Sequence, residues 1–407
     1  KINFDENVKA KGINLVDKIQ HGIKISLIKD KKKNDINGRY YFFLADSDEN
    51  SFQFQNYAPS YFHKIRSLYG INENKYLDAI CNKELLGGEK NNAGKSGQIF
   101  WRTQNQEFVI KTVTQKEATF LQSNLKIYIE HLENNPHSLI SRFFGLHKIK
   151  VDRLRLRFVV MNNVFSTCKI PPQLIYDLKG TTEDRLVKQS SKLKKQPILK
   201  DLNFADRFIL VSKQMSKSLL FQIKNDVNFF LKVGVMDYSL LLGVCVKNEE
   251  NSEVLSVDTE IDVFAPLKYN QHFASSHISK ASVFESGIKG PLGETYFLGI
   301  IDFLQEWTKK KKMANVFKTC AFCDCQQNKI DSVPPVKYAE RFQEYLDSKI
   351  KNTRSLGSYS MGLDKIQNRI LINCNSAYDL FVVDSAFSAF LNYSEKILMS
   401  KRQIYKK

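Results

Sequence analysis

The sequence predicts an α+β protein with length for two lobes or two domains, and three observations lead there. At 407 residues the chain can bury a full core and is long enough for two lobes or two domains. A hydrophobic fraction of 43% with 12% aromatics is that of a folded chain, since disorder goes with too few apolar residues to offset the entropy of ordering. Stretches of period-two alternation interleave with stretches of helical period and no internal repeat, the pattern of a mostly antiparallel sheet with helices packed on it.

Taken in order, residues 8–29 (VKAKGINLVDKIQHGIKISLIK) read as an amphipathic helix turning into a strand. RYYFFLA (39–45) reads as a strand and APSYFHKIRSLYGI (58–71) as a helix ending at Gly70. GQIFWRT and EFVIKTV alternate on either side of the polar turn QNQ, a β-hairpin. KEATFLQSNLKIYIEHLENN (116–135) is a helix closed off by Pro136, and RLRFVVMNNVF (155–165) returns as a strand. Beyond it, LIYDLKGTTEDR (174–185) is a strand entering a polar turn, and VKQSSKLKKQPILKD (187–201) is a basic loop. SKSLLFQIKNDVNFFLKVGV (216–235) is a long helix feeding the apolar strand KVGVMDYSLLLGV (232–244), with an acidic Asn/Ser-containing loop at 248–262. TYFLGIIDFLQEW (295–307) is a further apolar strand, and VPPVKYAERFQEYLDSKI (333–350) a helix. The division expected is 1–165, 166–346 and a C-terminal extension, 347–407, without a readable pattern.

Charge narrows the function classes. Lys and Arg number 61 against 43 Asp and Glu, a formal charge of +18, which favours an anionic partner: nucleic acid, a phospholipid surface or a phosphorylated substrate. Nucleic acid is set aside, because neither a recognition module nor aromatics arrayed on a basic sheet are present. Seven irregularly spaced cysteines suit a reducing, cytoplasmic interior. Cys320, Cys323 and Cys325 lack the second Cys/His pair of a zinc finger and read as loop thiols. No apolar run reaches the roughly 18–20 residues of a membrane span, so membrane contact is expected to be peripheral. The chain opens on Lys1 rather than Met, which is compatible with a preceding segment.

Four constellations carry chemistry. NNAGKSGQIFW (91–101) contains Gly-Lys-Ser but fails as a P-loop: Glu89 stands where the first glycine belongs, and a strand, not a helix, follows. Its Gly94, Ser96 and Gly97 suit instead a glycine-rich turn between two strands that covers nucleotide phosphates. Lys111 sits among Val109, Ile110 and Val113, so its ammonium needs a partner; Glu117 at the next helix start is the expected one, with Glu130 the fallback. Asp237 and Asp302 each accompany an apolar strand, where an ionised carboxylate without a partner costs several kcal/mol. Phosphoryl transfer needs such a pair, one to orient or deprotonate a hydroxyl and one to hold Mg²⁺. Lys179 and Arg185 flank a glycine turn, suited to binding a phosphate group.

Together these segments resemble the phosphatidylinositol phosphate kinase family, 4-phosphate 5-kinases in particular. IYDLKGT, MDYSLLLGV, GIIDFLQ and YAERFQEYL stand in that family's order, after GKSGQIFW, FVIKTVTQKEATFLQ, FFGLHKI and VVMNNVF, and the resemblance runs from about residue 14 to 346. It implies a two-lobed lipid kinase fold distantly like protein kinases, with an antiparallel sheet and helices in the first lobe and a smaller mixed second lobe. It implies transfer of the ATP γ-phosphate to phosphatidylinositol 4-phosphate at the inner face of a membrane. By resemblance Lys111 holds ATP phosphates, Asp237 is the acid/base candidate, Asp302 binds Mg²⁺, and Lys179 and Arg185 grip the lipid phosphate. The segment after Asp302 corresponds to the activation loop, whose Lys309, Lys310, Lys311 and Lys312 suit an anionic bilayer. Two departures stand out. Ala314 replaces the glutamate usual in 4-phosphate 5-kinases and is similar to 5-phosphate 4-kinases, while MNN, GKSG and KEATFLQ favour the 5-kinases. Thr181 replaces the usual serine but keeps the hydroxyl. A pseudokinase scaffold predicts loss of Lys111, Asp237 or Asp302, and all three are present; the tail, considered as a surface for a homodimer or protein partner, is what keeps that reading open.

Overall fold

The computed structural model describes residues 15–30, 39–44, 52–90, 98–188, 197–246, 284, 286–291, 293–307 and 333–352. Helix α1 (Leu15–Asp30) is helical throughout, which corrects the expected turn into a strand. Its stripe Leu15, Ile19, Ile23, Leu27 repeats every four residues and is buried along its length, so the apparent alternation near its end is one more turn of the same face. Gly22 lets it close on the sheet, since a Cβ there would lie 2.1 Å from the Phe54 ring.

The first lobe is a seven-stranded antiparallel sheet. Its strands are β1 (Arg39–Leu44), β2 (Phe52–Tyr57), β3 (Leu85–Lys90), β4 (Ile99–Thr103), β5 (Phe108–Val113), β6 (Phe143–Val151) and β7 (Leu154–Asn162), in spatial order β1-β2-β6-β7-β5-β4-β3. β6 escapes an alternation search because its first five residues are all buried. Helices α2 (Pro59–Leu68) and α3 (Glu73–Cys81) follow β2, and Gly70 takes the left-handed φ of 65° just past α2. Helix α4 (Gln115–Asn134) opens on a capping box of Thr114 and Glu117 and buries Leu121, Leu125, Tyr128 and Leu132.

The second lobe centres on five strands: β8 (Leu174–Leu178), β9 (Leu199–Lys200), β11 (Ser239–Val246), β12 (Ile288–Lys289) and β13 (Glu294–Ile301), ordered β12-β13-β11-β8-β9. Only β8 and β9 run parallel within it. A 3₁₀ turn (Asp201–Phe204) follows β9. Helix α5 (Lys213–Val233) starts at its cap Ser212, whose Oγ accepts from Met215 N, and stops at Gly234 with φ 68°. Helix α6 (Pro335–Lys349) packs on α5, and β14 (Ile350–Asn352) then pairs in parallel with β10 (Ile209–Val211). The boundary expected at 346/347 therefore falls inside a helix, because Leu346 and Ile350 are both core residues.

The lobes join through segment 138–141. Ile300 N donates to Leu139 O (2.7 Å), and Ser141 N donates to Ile300 O (2.9 Å). Asp226 on α5, fully buried, accepts from Ser138 Oγ (2.8 Å), Leu139 N (2.8 Å) and Gln222 Nε2 (3.0 Å), and contacts His131 Nε2 of α4 at 2.8 Å. A buried carboxylate is stable here because donors surround it.

Candidate active site

Strand register assembles the site. In the antiparallel pair β11–β13, Ser239 lies opposite Ile301, and in β11–β8, Leu240 lies opposite Leu178. Asp237, just before β11, Asp302, just after β13, and Lys179, just after β8, therefore emerge at one end of three adjacent strands. The joint at Ile300 brings that end against the first sheet, where β5 supplies Lys111.

Asp237 and Asp302 both lie outside their strands, at φ 71° and φ 63°. That corrects the reading of Asp237 as a carboxylate set within a buried strand: its side chain is 26% exposed. The left-handed backbone, which Asp tolerates better than most residues, turns each carboxylate out of the strand's alternation toward the cleft. Lys179 Nζ donates to Asp237 Oδ1 at 2.5 Å, and Lys111 Nζ donates to Asp302 Oδ1. Burial draws the Lys179 pKa down, but the carboxylates of Asp237 and Asp177 outweigh it and leave it raised, so this lysine is charged.

Lys111, Glu117, Ser141, Met161, Asp302 and Leu304 line a cavity of about 100 Å³ between the lobes. Glu117 shares this cavity, yet the Lys111 ammonium pairs with Asp302 instead, which corrects the expected partner. The Glu117 carboxylate accepts from Thr114 N at 2.7 Å, its half of the capping box. Glu130, the fallback, stands on the exposed face of α4. Lys111 Nζ also lies 5.5 Å from the Phe100 ring centroid.

The Lys179–Gly180 turn is held by residues that sequence reasoning missed. Asp201 Oδ1 accepts from Lys179 N (2.9 Å) and Gly180 N (2.7 Å), while its Oδ2 accepts from Arg185 Nε (2.6 Å). Arg185 also donates to Asp177 Oδ1 at 2.6 Å and to the Asp177 carbonyl. With its side chain 7% exposed and its Nε and Nη2 held by the carboxylates of Asp201 and Asp177, Arg185 braces the turn rather than reaching for a phosphate. This corrects its expected role. Gly180 has φ 73°, and a Cβ there would lie 2.9 Å from Tyr345 Cβ. Asp177 stands inside the quoted YDLKG segment, but nothing around Asp201 in sequence marks it.

Gly94, Ser96 and Gly97, Lys309 to Lys312, Ala314, and Cys320, Cys323 and Cys325 lie outside the described residues. Among the described residues, no cluster of three or more His, Cys, Asp or Glu could hold a metal, and no helix is long and apolar enough to cross a membrane.

A sequence profile described as phosphatidylinositol-4-phosphate 5-kinase matches residues 80–349, which includes Lys111, Lys179, Asp237 and Asp302. The chain belongs to this family. It is 33% identical over 349 residues to a probable phosphatidylinositol phosphate kinase of Dictyostelium discoideum, covering 74% of this chain and 48% of that protein. It is 32% identical over 330 residues to phosphatidylinositol 4-phosphate 5-kinase type-1 beta of Gallus gallus, covering 75% and 60%. With the type-1 alpha protein of Mus musculus it shares 32% identity over 317 residues, covering 73% and 57%. The chain thus spans about half to three-fifths of the length of these relatives. Family membership accords with the mixed α+β lipid kinase fold expected from the sequence.

Proposed function

We propose that this protein transfers the γ-phosphate of ATP to the 5-hydroxyl of phosphatidylinositol 4-phosphate, giving the 4,5-bisphosphate while peripherally bound at the cytoplasmic face of a membrane. The observation that carries the reading is the convergence of Asp237, Asp302 and Lys179 at one strand end opposite Lys111. The named relatives support the 4-phosphate lipid over the 5-phosphate lipid.

The chemistry asked of each residue follows from its place. Lys111 exchanges Asp302 for the phosphate oxygens of ATP, bringing positive charge where the transition state spreads negative charge. Asp237 takes the proton of the attacking hydroxyl as its oxygen bonds to phosphorus and the bond to ADP breaks. Lys179, at 2.5 Å, holds that carboxylate in place and offers its remaining donors to the phosphate already on the inositol. Asp302, 40% exposed at the cleft mouth, is an oxygen donor of the kind Mg²⁺ accepts when phosphates complete its coordination. When bound, such an ion supplies neutralisation of the phosphate charge.

The lobe division that goes with this reading places 1–165 above the cleft and 166–346, with the end of helix α6 and β14, below it, and the rest as an extension contributing contacts to a second copy or a protein partner. It is supported by the strands, since β7 ends at Asn162 and β8 begins at Leu174. The test is labelled-phosphate transfer from ATP to liposomes holding either monophosphate lipid, with Asp237→Asn and Asp302→Asn alongside. Product from the 4-phosphate lipid, lost in both variants, is expected. Folded, liposome-bound protein that makes no product from either lipid would overturn the enzyme reading in favour of a scaffold.

A further inference from the structure

Residues 163–173 carry the chain from β7 into β8, and they do so lying across β11. Phe165 covers Gly243, where an added Cβ would meet its ring at 2.5 Å. Gln173 N donates to Val244 O at 3.0 Å, and the Gln173 amide pairs with Val246 through Nε2 to O (3.2 Å) and Oε1 from N (3.0 Å). The Cys245 thiol, on β11, donates to Ile170 O of the connector at 3.7 Å, two residues beyond Cys168, whose thiol neighbours it. Both thiols are partly exposed. Two cysteines distant in sequence are thus held side by side by a connector whose backbone is pinned on both sides of Cys168.

We propose that Cys168 and Cys245 form a redox couple, closing to an intramolecular disulfide on exposure to a peroxide and reopening with a dithiol reductant. With hydrogen peroxide the step balances: the Cys245 sulfur displaces hydroxide from the peroxide to become a sulfenic acid, one water leaving. Cys168 then attacks that sulfur, forming the S–S bond and releasing a second water. Reduction returns both thiols and oxidises the added dithiol. The roles follow from the neighbouring thiols: a hydrogen bond from Cys168 draws the Cys245 pKa down, whereas the Cys168 pKa is raised by that hydrogen bond first and by burial second. A disulfide formed in a reducing interior is of the transient, sensing kind. Its consequence is mechanical. It ties the connector between the lobes to β11, the strand whose opposite end leads to Asp237. The proposal does not depend on the kinase reading.

The experiment oxidises the full chain with dilute hydrogen peroxide, blocks remaining thiols with N-ethylmaleimide, and digests without reduction for mass spectrometry. The expected result is a Cys168–Cys245 linked peptide pair that disappears after dithiothreitol, with both thiols lost from the alkylated pool in equal proportion. In Cys168→Ser the Cys245 sulfenic acid is expected to be trapped by a dimedone probe, a readout that survives even if the link cannot form. Amide exchange in 163–173 is expected to slow in the oxidised form. Separate alkylation of both thiols after the peroxide treatment would overturn the proposal, as would linkage of either to a different cysteine.

Discussion

Asp201→Ala probes how the cleft holds its lysine. The wild-type carboxylate is 4% exposed and accepts three hydrogen bonds, two from the backbone of the Lys179–Gly180 turn and one from Arg185. Removing it strands two backbone donors and leaves Arg185 with Asp177 as its carboxylate partner. A stranded buried donor costs about 1–3 kcal/mol, and breaking a buried ion pair about 3–5 kcal/mol. These overlap, so the expected loss of stability is about 3–5 kcal/mol by urea denaturation. Asp201→Asn keeps an oxygen for the two backbone donors and is expected to lose about half as much. The second readout is phosphate transfer, measured at a temperature where every variant is folded. Because Asp201 acts through the backbone that carries Lys179, Asp201→Ala should cost activity in the wild-type background and little more in a Lys179→Ala background. Unchanged stability, or activity losses that multiply in the double variant, would refute the positioning argument.

Further expectations follow from the same geometry. Lys111→Met is expected to lower transfer by about 10²–10³-fold while costing under about 1 kcal/mol of stability, because its partner Asp302 is 40% exposed and keeps contact with water; a destabilised variant would contradict this. Asp226→Ala should lower stability by about 3–5 kcal/mol, and an unchanged urea midpoint would show that the joint at 138–141 does not depend on it. His147 packs against the Phe54 and Phe158 rings, and burial first and Arg66 second push its pKa down to about 3. The unfolded chain therefore binds the extra proton, so stability is expected to fall as pH drops below about 6.5, by about 1.4 kcal/mol per unit until the folded pKa is reached. His147→Phe should flatten that acid limb in urea titrations at pH 7, 6 and 5, and parallel limbs would sink the assignment. Binding to anionic liposomes should weaken as salt rises, given the formal charge of +18; salt-independent binding would count against electrostatic docking.

Much of the fold was legible because its causes are local. The hairpin β4–β5 shows in alternation about a polar turn, and α4, α5 and α6 show in helical stripes closed by caps or glycine. α1 was misread at its end because a four-residue stripe and a two-residue alternation coincide over a few positions. β6 was missed because burial on both faces erases the period. At the site, residue types announced themselves: a lysine in an apolar strand and acids beside two others asked for partners.

What the sequence determined by itself was therefore the inventory, namely the α+β class, most helices and the chemical groups of Lys111, Lys179, Asp237 and Asp302. Which charge meets which was decided only by tertiary structure. Lys111 reached past Glu117, six residues away in sequence, to Asp302, separated from it by 191 residues, and Arg185 was claimed by Asp177 and Asp201. The physical reason is that hydrogen bonds form over about 3 Å in space, and the distance between two side chains here is set by the register of β8, β11 and β13 and by the lobe joint at Ile300, neither of which is written in any local stretch of the chain.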